Sequence, residues 1–166
     1  PLVFWPYPPE ALGAEKIMAT SPIMGRVMRW YGTFPVLRDG DDRTALRTAL
    51  ETLRNGWPLL IAPEGTRHPD GLQNPQPGAA FLAMKTGIPL LPVGISGTPS
   101  IFSSLRKGRK QLVDMVIGKL YHLPDLAGVP RREALQRHTD LIMLRIAALL
   151  PPHHRGDYPN PEREPI

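Results

Sequence analysis

The chain of 166 residues has no cysteine. That excludes a disulfide framework, a thiol nucleophile and a Cys-ligated zinc site, and leaves the redox compartment open. Three common chemical signatures are also missing: a Gly-x-Ser-x-Gly elbow, a Gly-rich phosphate loop ending in Gly-Lys-Ser/Thr, and a dinucleotide-type Gly-x-Gly-x-x-Gly. No long membrane-spanning run is present. The charge-free stretch from Thr86 to Leu105 is interrupted by Pro89, Pro92 and Pro99 and by Gly87, Gly94 and Gly97, so it reads as strand and loop. Aromatic residues are few, at 7%, and the basic turn Arg106-Lys107-Gly108-Arg109-Lys110 has none interleaved, which argues against nucleic acid as a partner.

What is present fits one folded domain. Hydrophobic residues make up 42% and charged residues 21%, a balance that supports a core. The 21 prolines, well above the usual share of about 5%, are scattered and imply many short elements with fixed turns. A formal net charge of +5 favours phosphate-bearing partners without choosing among them. No internal repeat and no second domain are evident. The beginning, Pro1-Leu2-Val3-Phe4-Trp5, is unusually apolar for a free end, and with no initial Met it suggests a start inside a domain.

The central stretch is Leu59-Leu60-Ile61-Ala62-Pro63-Glu64-Gly65-Thr66-Arg67. Its apolar part predicts a short buried strand, and Pro63 to Arg67 a loop at the strand's carboxyl end, where ligands sit in open α/β sheets. Thr33 to Arg38 repeats the design, an apolar run ending in a base. Between them, Arg43 to Asn55 predicts an amphipathic helix with Leu46, Ala49, Leu50 and Leu53 on one face and Gly56 as its stop. Strand, helix and strand make a βαβ unit and argue for a largely parallel sheet.

Elsewhere, Glu10 to Tyr31 reads as an interrupted helix, Gly78 to Thr86 as a short helix closed by Gly87, and Ile88 to Ile95 as a buried strand. Gln111 to Leu120 reads as a further strand. Arg131 to Leu150 reads as a last helix, with Leu135, Ile142, Ile146 and Leu149 on a stripe and Pro151-Pro152 as its stop.

If the two base-terminated strands are near neighbours, Arg38 and Arg67 can converge on one anion, since a guanidinium donates paired hydrogen bonds to phosphate or carboxylate. Glu64 can orient an arginine or accept from a hydroxyl. Thr66 and the N–H groups beside Gly65 add donors. The five histidines carry weaker signals: His68 lies in a polar loop, His122 and His138 read as packed or exposed, and His153 and His154 lack visible partners for a metal, so no metal is expected.

In order and spacing, Gly32-Thr33-Phe34-Pro35-Val36-Leu37-Arg38, Pro63-Glu64-Gly65-Thr66-Arg67 and Gly87-Ile88-Pro89-Leu90-Leu91-Pro92-Val93 resemble the second, third and fourth blocks of the glycerolipid acyltransferases, most of all the 1-acyl-sn-glycerol-3-phosphate (lysophosphatidic acid) acyltransferases. Ile146 to Pro152 and Arg155-Gly156 look like the end of bacterial members. The resemblance implies the α/β acyltransferase fold, a mostly parallel mixed sheet flanked by helices. An acyltransferase domain is expected over 1–152, with a loosely held tail over 153–166. The implied reaction moves a fatty acyl group from acyl-CoA or acyl-carrier protein to the sn-2 hydroxyl of lysophosphatidic acid, giving phosphatidic acid, with the thioester as co-substrate and no other cofactor. Arg38 and Arg67 would bind the acceptor phosphate. Glu64, Gly65 and Thr66 would shape the acceptor site, and Pro89 the acyl-donor side. A membrane-associated location on the cytoplasmic face is implied, because substrate and product are lipids.

The family's first block, His-x-x-x-x-Asp, is absent. The residues five beyond each histidine are Gln73, Ala127, Met143, Tyr158 and Pro159. No catalytic residue is therefore assigned within the chain; the His and Asp are expected just before Pro1, and the chain as given is expected to be inactive. Where members carry a phosphate-contacting Lys, this sequence has Glu15 with Lys16 one place along, and Gln76-Pro77-Gly78 lacks the base that commonly precedes the Gly. Two other readings stand beside the first: a non-catalytic module that binds anionic lipid through Arg38, Arg67 and the basic turn, and an acyltransferase for another lyso-lipid or an amine.

Overall fold

A computed structural model describes residues 10–14, 33–36, 42–65, 71–97, 108, 110 and 112–162. The chain divides into two compact units, Pro1–Gly65 and Thr66–Ile166.

The first unit is built on a parallel ladder in the order β2-β1-β3, with β1 Glu10–Ala14, β2 Thr33–Val36 and β3 Leu59–Leu60. Ala11 pairs with Thr33 on one side and with Leu60 on the other, and Ala14 pairs with Val36. β1 corrects the sequence reading, which made Glu10 the start of a helix. Glu, Ala and Leu are good helix formers, but five residues cannot meet the cost of helix nucleation. Ladders on both edges satisfy the backbone of this segment instead. The rest of that reading, residues 15–31, lies outside the described residues. Pro35 occupies β2, an outer strand among the described residues, where a missing N–H is tolerated.

Helix α1, Asp42–Arg54, follows the predicted span within a residue at each end. Ala49, 1% exposed, and Thr52 are buried, while Leu46, Leu50 and Leu53 are half-buried. The helix contacts both β2 and β3, the two strands it connects. On its solvent side Arg47 and Glu51 pair at 3.1 Å, an exposed contact worth only a few tenths of a kcal/mol. Gly56 ends the helix at φ +80°, where side-chain-bearing residues are strained. The β2-α1-β3 crossover is thus the expected βαβ unit, but it passes over β1 and does not join adjacent strands.

The second unit holds α2 Gly78–Thr86, β4 Val93–Ser96, β5 Asp114–Ile117 and α3 Arg131–Ala147. Helix α2 has the predicted bounds and closes as predicted, with Gly87 left-handed at φ +67° and its N–H donating to Ala83 O at 2.8 Å. Small residues Ala79, Ala80 and Ala83 are buried with Leu82, and α2 packs against α3. Strands β4 and β5 are antiparallel, and a single bridge between Leu90 and Tyr121 continues the pairing. Both strands are shorter than the sequence implies. Pro89 and Pro92 have no N–H to donate, which delays the regular ladder until Val93.

The buried arc of α3 is wider than the stripe read from sequence. Leu141, Ile142, Met143 and Leu144 are buried in succession, so this turn is enclosed on every side. Met143 (0% exposed), Ala147 and Leu150 form a core with Leu72, against which Ile146 and Tyr158 pack. Leu72 is also the anchor of the segment after α3. Its N–H donates to His154 O at 3.2 Å, and its carbonyl accepts from Asp157 N at 3.0 Å. The Arg155 Nε donates to Leu150 O at 3.0 Å. Residues 154–158, which fall in the stretch expected to be a loose tail, are therefore pinned.

The α/β class follows from these elements. The expected mostly parallel mixed sheet takes the form, among the described residues, of two ladders: one parallel, the other antiparallel. No helix among the described residues is long and apolar enough to cross a membrane.

Candidate acceptor site

All three strands of the first ladder point the same way, so their carboxyl ends lie along one edge. β1 and β2 end level with each other, because Ala14 pairs with Val36. β3 ends lower: Leu60 pairs with Ala11, three residues short of that level, or about 10 Å at roughly 3.3 Å per residue. Beyond Leu60 the chain turns over Ala62 to Gly65. The N–H of Gly65 donates to Ala62 O at 3.1 Å, with Gly65 at φ +65°. Glu64, half-buried, sits inside this turn. A rigid element thus delivers Glu64 and Gly65 as the sequence implies.

Arg38, Thr66 and Arg67 lie outside the described residues. Their strands are not neighbours, which corrects the condition on which convergence was first argued: β1 stands between β2 and β3. Two inter-strand spacings separate the outer strands, about 9–10 Å. Nothing in the local sequence Glu10-Ala11-Leu12-Gly13-Ala14 signals a central strand, so this part of the site was not legible in advance.

Pro89 belongs to the second unit and is exposed. It follows the left-handed cap at Gly87 and immediately precedes Leu90, whose N–H donates to Tyr121 O at 2.7 Å and whose carbonyl accepts from Tyr121 N at 3.0 Å. A cavity of about 360 Å³ in the same unit is lined by Met84, Gly87, Ile88, Leu126 and Val129 among others, and Pro89 is not part of its lining.

His68 lies outside the described residues, and the other four histidines have structural contacts. His138 is buried, and its Nε2 lies 3.0 Å from Pro124 O, so that nitrogen carries the proton. His122 is exposed, with Nδ1 3.1 Å from Gly87 O. The rings of His153 and His154 lie against each other, tilted by 46°, with centroids 4.3 Å apart. No group of three or more His, Cys, Asp or Glu side chains that could hold a metal occurs among the described residues.

The family model for Acyltransferase matches residues 3–96, more than half of the chain and all three of the blocks named above. The chain belongs to the acyltransferase family. It is 28% identical over 136 residues to the 1-acyl-sn-glycerol-3-phosphate acyltransferase of Bacillus subtilis, covering 82% of this chain and 66% of that protein. It is 34% identical over 91 residues to the chloroplastic 1-acyl-sn-glycerol-3-phosphate acyltransferase BAT2 of Brassica napus, covering 52% of this chain and 26% of that protein. Among solved structures it resembles the 1-acyl-sn-glycerophosphate (LPA) acyltransferase PlsC of Thermotoga maritima, with a TM-score of 0.55 and 26% identity over 85% of this chain and 55% of that one. The chain spans between about a quarter and two thirds of the length of these relatives. The α/β acyltransferase fold implied by the three blocks is the fold observed.

Proposed function

We propose that this acyltransferase chain carries the acceptor-binding part of an enzyme that makes phosphatidic acid from lysophosphatidic acid. The observation that supports it best is the parallel β2-β1-β3 ladder, which sends the Pro63-Glu64-Gly65 turn to the carboxyl edge in a chain matched by the acyltransferase family model. The named activities of the relatives point the same way.

In this reading Arg38 and Arg67 hold the acceptor phosphate by charge-assisted hydrogen bonds. Glu64, Gly65 and Thr66 shape the pocket for the glycerol, and Pro89 contributes on the acyl-donor side. The sn-2 oxygen attacks the thioester carbonyl, a C–O bond forms and the C–S bond breaks. The hydroxyl proton passes to a general base and then to the departing thiolate, so the products are phosphatidic acid and a free thiol. The resemblance assigns that base to the His of His-x-x-x-x-Asp, a motif the 166 residues do not contain. The donor is acyl-CoA or acyl-carrier protein, with no further cofactor required by the chemistry. The enzyme works at a membrane surface on the cytoplasmic face.

Two measurements test this. Lysophosphatidic acid should bind the chain, and lysophosphatidylcholine, whose phosphate is masked by choline, should bind far more weakly. The full-length gene product should convert lysophosphatidic acid and a thioester to phosphatidic acid. Acceptor binding without turnover by the full-length product would instead favour the lipid-binding module, and turnover of other acceptors alone would move the assignment within the family.

A further inference from the structure

The ladder of β4 and β5 has two unlike faces. Residues directly opposite in an antiparallel pair project to the same side, so the register Val93–Ile117 and Ile95–Met115 makes one face, and Gly94–Val116 and Ser96–Asp114 the other. On β4 the second face is covered, whereas on β5 its residues Asp114 and Val116 are exposed, Val116 at 46%. Gly94 is buried so closely against Leu149 that an added Cβ would come within 2.8 Å of the Leu149 Cβ, and Ser96 is also buried. The first face consists of Val93, Ile95, Met115 and Ile117, all apolar; Val93 is half-buried and the other three are exposed. Ile95 is 47% exposed, and Met115 and Ile117 are each 62% exposed. Leu112 and Val113, just before β5, and Leu120, just after it, are exposed as well. A contiguous apolar surface of this kind marks an interaction site.

The charges around it indicate the partner. Between residues 106 and 120 the chain carries Arg106, Lys107, Arg109, Lys110 and Lys119 against Asp114 alone. Lys110 and Lys119 flank β5, are exposed, and have no ion-pair partner among the described residues. Asp114 belongs to the opposite face of the ladder. An apolar surface bordered by exposed lysines matches the interface of an anionic bilayer, where side chains such as Met and Ile enter the acyl boundary and ammonium groups meet the head groups. A second protein with an apolar face would leave the surrounding positive charge unmatched.

We infer that the Val93–Ile95–Met115–Ile117 face, with Lys110 and Lys119 at its ends, is the surface by which this chain lies on anionic membranes. The inference rests on the lipid acyl-transfer reading, in which acceptor and product reside in a bilayer. Neither lysine nor any of these apolar residues belongs to the proposed acceptor site.

The test is flotation of the full chain with vesicles of phosphatidylcholine alone and of phosphatidylcholine with phosphatidylglycerol. The expected result is strong partition onto the anionic vesicles only. That partition should weaken at least tenfold in Met115→Glu/Ile117→Glu and in Lys110→Glu/Lys119→Glu. The second variant changes only exposed residues, so a folding defect in the first leaves the test intact. Equal partition onto both vesicle types, or unchanged partition in the lysine variant, would overturn the inference. So would light scattering that shows a dimer dissociated by the same substitutions, which would assign the face to a second copy. Vesicle binding is read separately from binding of monomeric lysophosphatidic acid. A chain that ignores the acceptor yet partitions through this face overturns the acyl-transfer reading and upholds the membrane surface.

Discussion

Ala14 of β1 and Val36 of β2 are paired and end their strands at one level, while Leu60 of β3 stops three residues lower, opposite Ala11. Beyond Leu60 the chain turns over Ala62 to Gly65, with Pro63 and Glu64 as the central residues of the turn. Arg38 follows Val36 by two residues, and Arg67 follows Gly65 by two. If both bind the acceptor phosphate, each contributes a charge-assisted hydrogen bond of about 1.5–3 kcal/mol. Arg38→Ala and Arg67→Ala should therefore each weaken lysophosphatidic acid binding about 10- to 100-fold. Neither should alter the weak binding of an uncharged monoacylglycerol. Calorimetric titration of both ligands checks this, and an equal loss for both would remove the phosphate from the assignment.

Gly65 makes a second, sharper test of the turn. At φ +65° a β-branched residue is strongly disfavoured, whereas Asn tolerates the region. Gly65→Val should cost about 1–2 kcal/mol and reduce acceptor binding by displacing Glu64. Gly65→Asn should keep most of both. Denaturant midpoints together with acceptor affinity report on the two effects. Equal behaviour of the two variants would mean that the turn does not depend on this backbone conformation.

Much of this was legible in the sequence, for reasons that differ from element to element. Helix α2 was readable because Gly78 to Thr86 is short, closed by a glycine and followed by Pro89, all local signals. Helix α1 was readable from its apolar face. β1 was not, because Glu10 to Ala14 is composed of helix formers and is held as a strand only by its two neighbours, a tertiary effect that overrides propensity. For the same reason the separation of the two base-terminated strands could not be foreseen. The proline-laden strand from Ile88 was read in the right place, but its ladder starts only where N–H donors resume. The turn that holds Glu64 and Gly65 was readable from the abrupt passage from Leu59-Leu60-Ile61-Ala62 to Pro63. The pinning of residues 154–158 to Leu72 left no sequence signal beyond Gly71 and Gly156, since it depends on contacts across more than 80 residues.

His138 joins α3 to the loop before it. Its Nε2–H donates to Pro124 O, and its buried Nδ1 has no hydrogen-bond partner. Substitution by Leu keeps most of the volume and removes the unsatisfied atom, offsetting the loss of one bond of about 1 kcal/mol. His138→Leu should therefore change stability by less than about 1 kcal/mol, whereas His138→Ala leaves a cavity and should cost about 2 kcal/mol or more. Urea denaturation of both variants separates packing from hydrogen bonding. Equal losses would show that the bond to Pro124 dominates.

Gly94 and Leu149 set how closely β4 approaches the end of α3. An added Cβ at Gly94 would lie 2.8 Å from the Leu149 Cβ and 3.0 Å from the Leu149 carbonyl oxygen. Neither atom is the flexible end of a side chain, so the strand or the helix end must shift. Gly94→Ala should destabilise the chain by about 1–3 kcal/mol, the usual range for an overpacked core. A Leu149→Gly background removes the Cβ obstacle but keeps the carbonyl, so it should recover only part of the loss specific to Gly94→Ala. A double-mutant cycle by thermal or urea denaturation measures that coupling. Strict additivity would mean that the backbone moves apart without resistance and that the close approach at Gly94 carries no energetic weight.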